Sequence, residues 1–332
     1  MTSGADSDNF LRQNESLLNQ AQELLQIPAS VPLQYDGDFF SAHSADICAL
    51  RDLARVGALQ CDRLRFKGEK ELAAQAVRNL LRLANISRNG GLIIDLLVSN
   101  AIAGSALSRL RKMRWVMSAG VCAEMARELS AWDRARETFH AVAERDAQWE
   151  RIVELTPSAV SAPLVTPADP ALAELHETTT KAIHQMMELP PLVQRTMKEH
   201  LDHRTTSVAR LLIVDLALRA ARQKEGELPP SLDALMPEYL PEIPANPFGE
   251  APMAYQPRAN DFQLYFIGPS GQDHCGKFGD WNSVEAGQAD VGVDIDDFPL
   301  TLAPTTKHSP PWKTVGDKML SAIHRLGERL TN

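Results

Sequence analysis

The sequence predicts a mainly α-helical protein: an N-terminal antiparallel helical array, then a small α+β unit built from a long helix and an antiparallel β-hairpin. Three observations predict it. Up to residue 225, apolar residues recur at spacings of three and four, the rhythm of one helical face. At Gly226 the composition changes, and GELPPSLDALMPEYLPEIPANPFG carries six prolines in 24 positions. Beyond it, MAYQPRANDFQLYFIGPSG replaces Ala, Leu and Arg with aromatic and turn residues. The chain divides accordingly into a helical domain over 1–200, the α+β module over 204–300, and a linker with an amphipathic helix over 301–332.

The first helix is expected over 8–27 and is broken by Pro28 and Pro32. A second follows from about residue 42, with Ile47, Leu50, Ala54, Gly57, Cys61 and Leu64 on one face; a third presents Ala73, Ala76, Val77, Leu80, Leu81 and Ala84. The turn at Lys67-Gly68-Glu69 makes the pair an αα-hairpin. Asn89-Gly90-Gly91 then opens the run LIIDLLVSNAIAGSAL, whose small residues Ser99, Ala101, Ala103 and Ser105 let neighbours approach closely. It reads as the central buried helix. Further helices are expected over 116–129, 132–154 and 171–188. A long one starts after Pro190-Pro191 and ends near Lys224, apolar over more than half its circumference. Strand propensity lies at Ala254-Tyr255 and Phe262–Phe266, with a turn between, and a last helix is expected over 313–330.

Composition narrows the function classes. At 332 residues the chain can bury a sizeable core without metals or disulfides. A net charge of −9 argues against nucleic acid as a partner, which needs many Lys and Arg contacts to phosphate. The longest near-apolar run, 92–107, is too short to span a bilayer and contains Asp95 and Asn100. The start MTSGADSDNFLRQNE has neither the basic nor the apolar stretch of a signal peptide, which reads as cytoplasmic unless the true start lies upstream. Four cysteines form no CxxC pair, and Cys48 and Cys61 are expected as small buried hydrophobes.

The order of features past residue 205 resembles the globular module of the type II secretion major pseudopilins, the G-type. Gly226 and Pro229, then Pro244, Asn246, Pro247, Phe248 and Gly249, carry the likeness; Pro252 and Tyr255 follow, shifted by a residue or two. Gly271 and Asp273 match the family's G-x-D loop, and Ala289-Asp290-Val291-Gly292 its A-D-I-G. The likeness covers about a quarter to a third of the chain. It implies a stem helix covered by a hairpin, and a calcium loop. The family's basic leader and membrane helix have no counterpart here, and its acidic residues before A-D-I-G are Ala286-Gly287-Gln288. The whole arrangement is similar to a group of uncharacterised bacterial proteins, many with an N-terminal anchor, which implies an envelope location if the start lies upstream.

Candidate chemistry falls in three places. The acidic loop offers Asp273 and Asp290 as calcium ligands, completed by carbonyls near 268–271; the alternative is a solvated loop with no ion. His200 and His203 share a helix face and, with His176 and His184 on the preceding helix, form a possible transition-metal set against ordinary solvated faces. Asp95, inside the most apolar helix, must be paired, with Arg78 or Arg82 as the expected partner, or serve as a pocket acid. His274-Cys275 is a weak nucleophile pair, since adjacent residues point apart. No G-x-S-x-G, Walker, GxGxxG or HExxH motif is present. The leading expectation is a non-enzymatic structural or protein-interaction protein of the envelope or secretion. The rivals are a metal or acid/base hydrolase using the histidines or the Asp95 region, and a small-molecule-binding helical domain.

Overall fold

The computed structural model describes residues 4–35, 39–154, 191–258 and 261–295. Among them the fold is mainly helical with one small antiparallel sheet. Helices α1 (Gly4–Gln13) and α2 (Glu15–Leu24) precede the hairpin of α3 (Phe39–Lys67) and α4 (Lys70–Arg88). Then come α5 (Ile93–Met113), α6 (Ala119–Ala135), α7 (Phe139–Glu154) and the long α8 (Pro191–Glu225). After a 3-10 turn at Leu232–Leu235 the chain forms β1 (Ala254–Pro257), β2 (Phe262–Phe266), a short α9 (Trp281–Glu285) and β3 (Val291–Gly292). The expected helices over 171–188 and 313–330 lie outside the described residues.

Helix α5 is the centre, packed by α3, α4, α7 and α8. Its small residues explain the crowding: Ser99, Ala103 and Ala106 are fully buried, so backbones approach where larger side chains would hold them apart. It is also the one described helix apolar and long enough to cross a membrane by composition, yet 72% of its apolar window is covered by protein. Gly91 makes its entry possible, because a Cβ there would stand 2.6 Å from Asp95 Cβ.

Several boundaries differ from expectation, and caps explain two of them. Helix α6 begins at Ala119 and α7 at Phe139 because Ser118 Oγ accepts from the Val121 amide and Thr138 Oγ1 from the Ala141 amide. The expected helix over 132–154 therefore breaks at Arg136, whose side chain turns inward. The expected N-terminal helix over 8–27 is two helices joined at Asn14. Helix α3 starts at Phe39, ahead of residue 42, where Phe39 packs with Val31 and Leu92.

The hairpin register pairs Ala254 with Tyr265 and Pro257 with Phe262. A third strand, absent from the sequence reading, adds Gly292 opposite Tyr265 and Val291 opposite Phe266. One apolar cluster runs from α1 through α6 and α8 to the sheet, joining Ile102, Leu107 and Met125 to Leu211, Leu218, Leu235, Phe266, Trp281 and Val291. The helical array and the sheet share this core along α8.

Candidate functional site

The loop expected to hold calcium is folded by its own carboxylates. Cys275 (φ 57) and Gly276 (φ 74) follow each other in the left-handed region and curl the backbone inward. At the centre stands the fully buried Asp290, whose carboxylate accepts from the amides of His274 at 3.1 Å and Gly276 at 2.9 Å. Asp273 Oδ1 accepts from the Cys275 amide at 2.7 Å and from the Tyr265 hydroxyl at 3.2 Å. Burial, with Asp273 alongside, pushes the Tyr265 phenol up to about 12. Asp280 caps α9 through the Ser283 amide, and Asp294 pairs with Arg114. Calcium demands six to eight oxygens; here the two preferred carboxylates are already engaged by N–H and O–H donors. No group of three or more His, Cys, Asp and Glu side chains gathers among the described residues. Asp296 and Asp297, at the end of the acidic loop, lie outside the described residues.

His203 is half-buried, edge-on to the Phe248 ring at 5.7 Å, and burial lowers its pKa. His200 sits one turn earlier, partly buried. His176 and His184 lie outside the described residues. Asp95, 1% exposed, is paired, but with neither expected arginine. Its Oδ2 accepts from the Leu92 amide at 2.8 Å, capping α5, and its Oδ1 lies 2.7 Å from His43 Nε2. Arg78 instead bonds Glu124 and Glu128 on α6, and Arg82 lines a cleft that α6 also lines. Cys61 is buried as expected, whereas Cys48 is exposed.

Sequence reading missed the main charged feature. Arg88, 1% exposed, forks onto Asp202 with Nη1–Oδ1 at 2.5 Å and Nη2–Oδ2 at 2.9 Å, and its Nε donates to the Glu137 carbonyl at 2.7 Å. Arg136 donates to the same Asp202 at 2.8 Å, to Thr206 at 2.9 Å and to Asn100 at 3.3 Å. Burial alone would raise the Asp202 pKa, but Arg136 and Arg88 outweigh it and hold it at about 2. A second knot at the other end of the bundle sets Asp215 between Arg219, at 2.7 Å, and Arg114, at 3.4 Å. One signal for it stood in the sequence: Asp215 interrupts the apolar run LLIVDLALRA, four residues before Arg219.

A cleft of about 370 Å³ opens between α4, α6 and the segment after α2. Leu25, Ile27, Leu81, Ile86, Met125 and Trp132 give it apolar walls. The Val31 amide donates to the Asn89 carbonyl at 2.7 Å, tying the linker wall to the end of α4.

Two pairs of exposed apolar side chains lie at the opposite end of the array. Phe66 is 81% exposed and Leu72 55%, either side of the α3–α4 turn; Trp115 is 58% and Val116 51%, just past α5. Arg109 of α5 reaches Asp62 of α3 at 2.7 Å and the Ala58 carbonyl at 3.1 Å, which places both turns at the same end. Trp115 is flanked by Arg219 at 3.7 Å and Arg114 at 4.6 Å.

Comparison of the chain with family models, curated proteins and solved structures returns no match.

Proposed function

We propose that this protein is a non-enzymatic interaction protein whose helical array presents a docking end to a protein partner. The observation that carries the reading is the placing of two exposed apolar pairs, Phe66 with Leu72 and Trp115 with Val116, at one end of the array, each side chain more than half exposed. Grouped exposure of large apolar side chains marks interaction surfaces, whereas scattered exposure does not. The interior ionisable groups support it too: Arg88, Arg136 and Asp202, and likewise His43 with Asp95, are engaged with one another.

In the same reading, residues 204–300 are a pseudopilin-type module, with α8 as stem. Its support is local. The Tyr255 hydroxyl donates to the Pro229 carbonyl at 2.8 Å, Asn246 bonds the Ile267 carbonyl and the Phe248 amide at 3.0 Å each, and the Phe248 ring lies between His203 and Trp281. Envelope or secretion association follows from that likeness.

The test is cell fractionation of the native protein beside Phe66→Ser/Trp115→Ser, with the N-terminus read by mass spectrometry. The wild type should migrate in an assembly larger than its own mass, and the folded double variant should leave it. A wild type that runs as a free monomer, or a variant that stays in the assembly, refutes the proposal. A second reading, small-molecule binding by the helical array, is favoured by the cleft beside Trp132.

A further inference from the structure

The described residues run to Ile295, beside the exposed apolar end. Asp294 Oδ2 accepts from Arg114 Nη2 at 2.6 Å, and the Ile295 carbonyl accepts from Arg111 of α5. Arg114 in turn lies over the Trp115 ring, 4.6 Å from its centroid. Residue 296 therefore starts next to Trp115 and Val116, and residues 296–332 continue from that point.

The continuation has the pattern of a docking element. Over 313–330, Val315, Met319, Ile323, Leu326 and Leu330 recur at spacings of three and four. At roughly 100° per residue these five fall within one quarter of a helix circumference, and Asp317, Lys318, Arg325, Glu328 and Arg329 fall on the opposite half. A helix of this length is marginal in water by itself and gains its stability by packing its apolar stripe. The stripe is about 24 Å long. Helices α3 and α5 pack directly, so their ends stand roughly 10 Å apart, well within that length. Residues 296–314 supply a connection of up to roughly 60 Å when extended.

We propose that residues 313–330 dock as an amphipathic helix across Trp115 and Val116 toward Phe66 and Leu72, so that the chain covers its own docking end until a protein partner displaces the segment. The proposal rests on the docking-end reading above and adds its control. The tether sets the strength of that control. A short flexible connection holds its ligand at roughly millimolar effective concentration. Where the free segment binds with Kd near 100 µM, this tether closes the surface about tenfold.

A fluorescent peptide of residues 311–332, titrated against the full chain and read by anisotropy, tests the proposal. Ile323→Glu/Leu326→Glu puts charge into the stripe and opens the surface; both positions lie outside the described residues. This open variant should bind the peptide saturably with Kd below about 100 µM. The wild type should bind it at least roughly tenfold more weakly, because its own segment competes. Adding Phe66→Ser/Trp115→Ser to the open variant should remove binding with an unchanged melting curve, and Val116→Glu takes the place of that pair if melting shifts. No binding to the open variant, equal binding by wild type and open variant, or binding that survives the loss of Phe66 and Trp115 overturns the proposal. If the wild type assembles through Phe66 and Trp115 in fractionation while the peptide fails, the cover falls and the docking end stands. If the peptide behaves as expected and no assembly forms, the cover stands and the partner reading falls alone.

Discussion

Replacing Asp202 by Asn should be among the most damaging single changes in the chain. The carboxylate neutralises two guanidinium groups that water barely reaches: Arg88 is 1% exposed, and burial lowers the pKa of Arg136. Asn keeps the shape and one acceptor but removes the charge, leaving two interior cations facing each other. Breaking a buried pair by removing one partner costs about 3–5 kcal/mol, a large share of the roughly 5–15 kcal/mol that holds a typical domain together. The wild-type pH dependence gives an independent magnitude. The folded pKa of Asp202 is depressed from 3.8 to about 2, a difference worth roughly 2–3 kcal/mol. Because the folded value is the lower one, this stabilisation is fully present above about pH 4. It is lost as pH falls through the folded value near 2. Urea unfolding at neutral pH and at several pH values down to the onset of acid unfolding measures both. Asp202→Asn should lower neutral-pH stability by several kcal/mol and flatten the acid limb. A variant within about 1 kcal/mol of wild type, with an unchanged acid limb, would refute the claim that the network holds α4, the α6–α7 connection and α8 together.

Gly276→Ala should destabilise by about 1–3 kcal/mol, since φ is 74° and the new Cβ would meet the Gln263 amide nitrogen at 1.5 Å. Adding Gln263→Ala should recover the steric part in thermal melts and leave the backbone part. Tyr255→Phe should cost about 1 kcal/mol through the lost bond to the Pro229 carbonyl, read as a shifted urea midpoint with an unchanged slope. The thiols should separate under a disulfide reagent at pH 8. Exposed Cys48 and Cys275 should react quickly, while burial pushes Cys61 up to about 12 and Cys122 up to about 11 and keeps both inert until unfolding. Four equally fast thiols would contradict the packing of α3 and α6.

The helices were legible because burial writes itself at spacings of three and four. The apolar faces of α3 and α4, the small-residue centre of α5 and the reach of α8 to Glu225 follow from that pattern. Strand β3 was not legible, since two residues carry no period and Gly292 earns its place by passing the Phe278 ring, where a Cβ would stand 2.8 Å away. The site was harder still. Asp202 lies among charged neighbours in KEHLDHR and reads as a solvated face; its burial depends on Arg88 and Arg136, 114 and 66 residues away. Asp95 was recognised as needing a partner, yet its partner, His43, lies 52 residues away on another helix, and no local spacing shows that pairing. The cleft is lined by residues 25–29, 78–89 and 125–135, segments far apart in the chain that no local pattern brings together.

Native-state amide exchange tests most directly whether the long helix and its β cover form one body with the helical array. The amides of 208–218 in α8 and of Phe262–Phe266 in β2 should share a single opening free energy and a single dependence on denaturant, because Leu211, Leu218, Leu264 and Phe266 lie in the same apolar cluster. Exchange of the β2 amides several kcal/mol more easily than those of α8, with a shallower denaturant dependence, would contradict that union.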